Sequence, residues 1–237
     1  MIRRLKRTRH VSFTLFTLLA VLLSACSEQS DPRPLNIVVF LVDDLGWRDG
    51  GSFGSDFYDT PNIDRLAQEG IKFTHAYAAS HVCSPTRASI MTGKYPARLH
   101  LTDWLGGRRS YAFESLTSPD FLQELPLEES TIAEAFKAHG YATAHIGKWH
   151  LGEDPFGPLE QGFDMRIPNW NKGWPNAGYY APFELDGVED EPGQYLTDRL
   201  TDYAKDFISE KQGQPFFLYM SHFAVHDPIH GRPDLVE

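Results

Sequence analysis

The order of apolar and polar residues along the chain marks out a short series of regular elements. Asn36-Ile37-Val38-Val39-Phe40-Leu41-Val42 is a continuous apolar, β-branched run, the pattern of a parallel strand buried on both faces. Tyr141 to Ile146 reads as a strand of small residues and Pro215 to Ser221 as a third, strongly apolar strand. Ile71 to Tyr77 alternates and predicts a further strand. Helices fall between them. Thr60-Pro61 opens a helix that stops at Gly70, and Thr131-Ile132-Ala133-Glu134 is a capping box for a helix that closes at Gly140. Leu196, Leu200, Tyr203, Ala204, Phe207 and Ile208 share one face of a longer amphipathic helix. The elements together predict an α/β fold with a mostly parallel central sheet flanked by helices.

Two stretches carry no sustained period. Residues 94–128 hold scattered aromatics, Gly106-Gly107 and Arg108-Arg109, and are expected to form a long excursion near the mouth of a site. Arg108 or Arg109 there either meets a substrate anion or forms a solvated charge pair. From Gly162 to Gly193 the chain is rich in Pro, Gly and aromatics, with Trp170, Lys172, Trp174, Tyr179 and Tyr180. Aromatic faces of this kind stack on sugar rings or pack within their own loop, and the segment is expected to select substrate.

At 237 residues the chain is long enough for one large domain or two small ones. Its first residues change the picture more than its bulk composition does. Arg3, Arg4, Lys6, Arg7 and Arg9 precede an uncharged run from Val11 to Leu23, then Leu23-Ser24-Ala25-Cys26. Basic residues, a short apolar stretch and small residues in that order predict a secretory signal over 1–25. A linker over 26–35, with prolines between Asp31 and Pro34, separates it from the domain at 36–237. The chain carries 32 Asp and Glu against 22 Lys and Arg, and loss of the basic leader makes the remainder more acidic still. Such a surface repels nucleic acid and sulfated polymers at long range, so no nucleic-acid partner is expected and any anionic substrate must be attracted locally.

Three apolar strands hand over, at the same end, to residues that carry chemistry. Asp43 and Asp44 follow the first strand, and adjacent carboxylates repel each other unless a cation such as Ca²⁺ or Mg²⁺ intervenes. Gly147-Lys148-Trp149-His150 follows the second; Lys148 and His150 share a face in extended chain, unless a glycine kink turns one away. A cation beside an imidazole suits anion binding with proton transfer. Between them lies Cys83, before Ser84 as candidate N-cap and Pro85 at the first helical position. A helix N-terminus favours developing negative charge there, and Arg87, one turn on, is placed to reach back over Cys83.

The wording of these blocks resembles a known family. Cys83-Ser84-Pro85-Thr86-Arg87 followed by Ala88-Ser89-Ile90-Met91-Thr92-Gly93 is similar to the signature of the type I sulfatases, and Val42-Asp43-Asp44-Leu45-Gly46-Trp47 and Gly147-Lys148-Trp149-His150-Leu151-Gly152 resemble two further family blocks. The resemblance implies an alkaline phosphatase/sulfatase-like fold and hydrolysis of a sulfate ester, in which Cys83 is oxidised to formylglycine by a formylglycine-generating enzyme. It implies a divalent ion, Ca²⁺ with Mg²⁺ as the alternative, held by Asp43, Asp44 and the group at Cys83. Lys148 would contact sulfate and His150 the formylglycine hydroxyl. His226, in the turn after the third strand and one residue before Asp227-Pro228, would protonate the leaving alcohol; His222 competes with it for that role. His75 and His81 are read as structural.

A sulfated glycan is the substrate expected from this resemblance. The rivals are a phosphate or phosphonate monoester hydrolase of the same superfamily and a non-catalytic, glycan-binding lipoprotein. The leader's ending resembles a bacterial lipobox, which implies a lipid anchor on Cys26 and a place in the periplasm or outer membrane; the alternative is ordinary cleavage near Ala25. With Cys26 and Cys83 the only cysteines, a bridge between them would abolish both proposed roles. Family members continue into a second metal-binding pair, a second lysine and a C-terminal subdomain. The chain therefore reads as the amino-terminal part of a longer enzyme, expected to bind metal weakly as it stands.

Overall fold

In the computed structural model residues 34–236 are described, and the expected leader and Cys26 lie outside them. Four strands form one sheet: β1 (Ile37–Val42), β2 (Ala142–Gly147), β3 (Met165–Ile167) and β4 (Phe216–His222). Their order is β1-β4-β2-β3 and every pairing is parallel. Five α-helices accompany them: α1 (Pro61–Glu69), α2 (Cys83–Thr92), α3 (Pro96–Leu99), α4 (Ile132–Ala138) and α5 (Leu196–Glu210). The α/β architecture with a parallel sheet is as the sequence predicts. None of the described helices is long and apolar enough to cross a membrane.

Alternating side chains of β4 feed two cores, as the two-residue period of a strand requires. Phe216, Leu218 and Met220 join Ala144 and Ile146 of β2 under Leu196, Leu200, Ala204 and Phe207 of α5. Phe217 and Tyr219 face the other way, into a core with Ala88 and Met91 of α2 and Ala133 of α4. Helices thus cover both faces of the central strands. The amphipathic period of α5 holds, although Ile208 stays 36% exposed.

Some local readings survive in detail. Thr131 accepts from the Glu134 backbone while the Glu134 carboxylate accepts from the Thr131 N–H at 2.7 Å, a complete capping box. Other expectations need correction. The run of β1 predicts burial on both faces, yet Val38 and Phe40 are 50% and 60% exposed. The cause is position: β1 is the sheet edge, paired only with β4, and α5 packs over β2 and β4. Ile71 to Tyr77 alternates but forms no strand, because no neighbouring strand takes up its backbone groups. Short β3 arises inside the stretch that sequence alone left irregular.

Candidate active site

Parallel pairing in register brings the strand ends together. Val42 lies opposite His222 and Gly147 opposite Ser221, so the residues after β1, β4 and β2 emerge side by side at the carboxyl edge of the sheet, where α/β folds build their sites. The ladder continues past the strands: Asp43 N–H donates to Ala224 O at 3.0 Å and Val225 N–H to Asp43 O at 2.7 Å. These two bonds set the turn carrying His226 against the turn carrying Asp43 and Asp44.

Two of the turns use left-handed backbone at non-glycine residues, Asp44 at φ 57° and His150 at φ 58°. Such conformations cost free energy and persist where surrounding structure imposes them. Between Gly147 and His150 the chain turns sharply. Gly147 has φ 109° and a Cβ there would stand 1.8 Å from Ser221 O, so no other residue fits this close approach. The turn separates the two side chains that extended geometry would have placed together: Lys148 runs inward to Asp43, while His150 reaches Cys83.

Cys83 is itself the first residue of α2, and the N-cap is Val82 rather than Ser84. Ser84 is fully buried and its hydroxyl accepts from the Leu105 N–H at 3.0 Å, which ties the helix start to the following loop. Thr86 Oγ1 donates to Ser80 O at 2.8 Å and fixes the approach to the helix. The Cys83 Sγ lies 3.2 Å from His150 Nδ1.

A buried charge cluster underlies this pair. Asp43 is 6% exposed, Arg87 2% and Lys148 0%. Arg87 Nη2 donates to Asp43 Oδ1 at 2.8 Å, and Lys148 Nζ donates to the other carboxylate oxygen. Arg87 Nη1 donates to Lys148 O and to Ser221 Oγ. The hydrogen bonds of Arg87 therefore go to the strand ends, where the sequence led us to expect a guanidinium turned toward Cys83. Its Nε is buried without a partner among the described residues.

Burial pushes the Asp43 carboxyl up, but the charges and hydrogen bonds of Arg87 and Lys148 outweigh it and hold the carboxyl below its usual range. Lys148 is lowered, first by burial and then by the like charge of Arg87, against the pull of Asp43. Burial, with Lys148 and Arg87 nearby, takes His150 down to about 3. A neutral imidazole therefore faces the cysteine.

Asp44 is exposed, and its Oδ2 lies 3.8 Å from His226 Nε2. Asp43, Asp44 and His226 offer ligand atoms all within 4.8 Å of one another, so they fit part of a shell for a hard divalent cation. His222, the rival to His226, is buried against Phe40, and burial lowers it to about 4. It is the last residue of β4 and is not among the ligand atoms of this cluster.

A cavity of about 390 Å³ is lined by Asp44, Cys83, His150 and His226 together with Trp104 and Trp174. All the predicted site residues except Asp43, Arg87 and Lys148 line it, and those three are buried. His81, read as structural, also lines this cavity; its place two residues before Cys83 was the available signal. Trp104 bears out the expectation that 94–128 runs past the site mouth, whereas Arg108 is engaged by Glu114 and Ser118 at the surface. Tyr179 does not present a stacking face. It is 2% exposed and donates its hydroxyl to His226 O at 3.0 Å, which fixes the His226 turn.

The chain resembles known proteins over most of its length. Residues 35–237 match the family model described as Sulfatase. The chain is 37% identical over 218 residues to N-acetylgalactosamine-6-sulfatase of Sus scrofa, covering 84% of this chain and 41% of that protein. The crystal structure of Ps i-CgsB superposes with a TM-score of 0.71 at 30% identity, over 85% of this chain and 48% of that one. A structure in complex with its substrate D-glucosamine-2-N,6-O-disulfate gives 0.64 at 31% identity, over 83% of this chain and 35% of that one. The chain thus spans less than half the length of these relatives.

Proposed function

Because this chain belongs to the sulfatase family, of which it is similar to an amino-terminal portion, we propose that it contributes to an enzyme that hydrolyses sulfate esters of a carbohydrate. The observation that carries this reading is the convergence of Cys83, His150, Asp44 and His226 on one cavity above a buried Asp43-Arg87-Lys148 cluster.

Cys83 is the position for formylglycine, whose hydrated aldehyde would supply the oxygen nucleophile that a thiol lacks. Asp43, Asp44 and the group at position 83 would hold Ca²⁺ or Mg²⁺. When bound, such an ion supplies positive charge toward a sulfate oxygen. The protein's own residues do the rest. Arg87 and Lys148 keep Asp43 ionised and aimed, and their buried charge favours an anion nearby. His150, kept neutral, orients the group at position 83 by hydrogen bonding. His226, partly buried in the cavity wall, donates a proton to the leaving alcohol oxygen.

Export with a lipid anchor at Cys26 is the corresponding proposal for location. The test is direct. Mass spectrometry of the peptide spanning residue 83, from a host with the maturation enzyme, should show formylglycine, and the matured protein should release sulfate from an aryl sulfate faster than phosphate from the aryl phosphate. An unmodified cysteine in an active protein, or preference for phosphate, would reject the reading.

A further inference from the structure

The main chain of Lys148 is held at both of its polar groups. Its N–H donates to Ser221 O at 2.7 Å. Its carbonyl accepts from Arg87 Nη1 at 2.7 Å and also lies 3.3 Å from His145 Nε2. The same Arg87 nitrogen donates to Ser221 Oγ. One residue of β2 and one of β4 thus fix where Lys148 and Arg87 stand, and neither His145 nor Ser221 lines the cavity that holds Cys83.

Packing alone does not account for His145. The residue is fully buried, and its ring centre lies 5.2 Å from that of Trp149, 5.6 Å from Phe163 and 5.8 Å from Tyr219. An apolar ring would fill this aromatic cage without a polar atom to satisfy. The imidazole instead buries Nδ1 with no partner among the described residues, which costs free energy. Burial, with the charge of Arg87 behind it, keeps the ring neutral. A neutral ring has one N–H, and because a carbonyl only accepts, that proton belongs on Nε2, facing Lys148 O. A polar group retained at such a cost points to the one bond it makes.

Resting on the sulfate-ester reading above, we propose that His145 is a positioning residue: its Nε2–H, together with Ser221, holds the Lys148 main chain so that the Lys148 ammonium and the Arg87 guanidinium keep their places on Asp43 and direct their charge at the substrate anion. His145 touches neither the ester nor the group at position 83 and acts through Lys148.

Three replacements separate this role from packing. A Gln amide nitrogen reaches about as far as the Nε2 of His, that of Asn stops near Nδ1, and Phe fills the cage with no donor. In the matured protein kcat for an aryl sulfate should stay near wild type in His145→Gln and fall by about tenfold or more in His145→Phe and His145→Asn, the scale of a charge displaced within a site. Denaturant midpoints at pH 7 should rank the other way, with Phe above Gln, because the cage is aromatic. Ser221→Ala should also lower kcat, and the double variant with His145→Phe should lose less than the product of the two single losses, since both act on one peptide. A kcat that follows the stability ranking, with Phe at or above Gln, overturns the assignment, as do fully independent losses. If wild type turns over no sulfate ester, the reading above fails by itself, and inorganic sulfate binding by calorimetry decides this proposal: affinity lost in Phe and kept in Gln supports it, and equal affinities or no binding overturn it.

Discussion

The Sγ of Cys83 stands 3.2 Å from Nδ1 of His150, and that imidazole is held down to about 3 by burial and by the neighbouring charges of Lys148 and Arg87. A histidine in this condition stays neutral across the physiological range, so it orients and exchanges hydrogen bonds but carries no charge to the site. Replacing His150 by Ala should lower kcat by about 10²-fold, the usual scale for a lost proton-handling group. The acid limb of the wild-type pH profile should not belong to it. NMR of the ring carbons should show His150 without titration between pH 5 and 8; a midpoint within that range contradicts the geometry.

The buried charge cluster makes a sharper contrast between two adjacent carboxylates. Asp43→Asn leaves Arg87 and Lys148 buried without their counter-charge, which for a broken buried pair costs about 3–5 kcal/mol. Asp44→Asn removes an exposed carboxylate whose nearest side-chain partner is the His226 imidazole at 3.8 Å, and surface substitutions of that kind change stability by about 0.5 kcal/mol or less. Denaturant midpoints should therefore separate the two variants clearly. Calcium binding by equilibrium dialysis should fall in both.

The site's residues were legible in the sequence because each sits just past an apolar strand or at a helix start, where local pattern and chemistry coincide. Strand ends are fixed by the hydrophobic run, and parallel pairing then delivers Asp43, Lys148 and the His226 turn to one edge. What the sequence could not show depends on neighbours distant in the chain. The exposed face of β1 follows from its place at the edge, which no property of Val38 or Phe40 encodes. Tyr179 supports the His226 turn from 47 residues away, and the same composition would serve for stacking on sugars. The inward course of Arg87 needed Ser221 and Lys148 O as acceptors, both supplied by strands that sequence spacing alone does not align.

Acid should destabilise this fold through histidines outside the Cys83–His150 pair. His145 is fully buried and lowered by that burial to about 3, and burial lowers His222 to about 4, from an ordinary 6.5. The folded-state values lie below the unfolded ones, so below about pH 6.5 the unfolded chain takes up two protons that the folded chain refuses. Stability is complete above that pH and is lost as pH falls toward 4, at a slope of roughly 3 kcal/mol per pH unit for two such groups. His150 adds in the same direction. Urea midpoints measured from pH 7 down to pH 5 should drop accordingly, and His145→Phe should flatten the decline. A midpoint independent of pH over that range contradicts buried neutral histidines.

Gly173 lies against the same imidazole that faces Cys83. A Cβ at this position would approach His150 Cε1 to 2.9 Å and Nδ1 to 3.2 Å, closer than ordinary contacts allow, so Gly173→Ala must displace the ring. The backbone at Gly173 is not in the left-handed region, so the substitution carries no conformational penalty of its own. Its effect should appear in catalysis rather than folding: kcat lowered by about tenfold or more, as a misplacement near 1 Å brings about, with KM and the denaturant midpoint little changed. A variant with unaltered kcat would show that the ring can shift without consequence.

His226 stands where two roles meet, since its Nε2 faces Asp44 while the residue lines the cavity that holds Cys83. A proton donor to the leaving oxygen matters most when that oxygen is a strong base and least when the departing group is already stable as an anion. A metal ligand matters equally for both. His226→Ala should therefore slow hydrolysis of an alkyl or sugar sulfate by about 10²–10³-fold and that of a nitrophenyl sulfate far less, with calcium affinity nearly preserved. Equal losses on both esters, accompanied by weakened calcium binding, would assign His226 to the ion instead, and the proton donor would have to be sought elsewhere on the cavity wall, with His81 as the remaining imidazole that lines it.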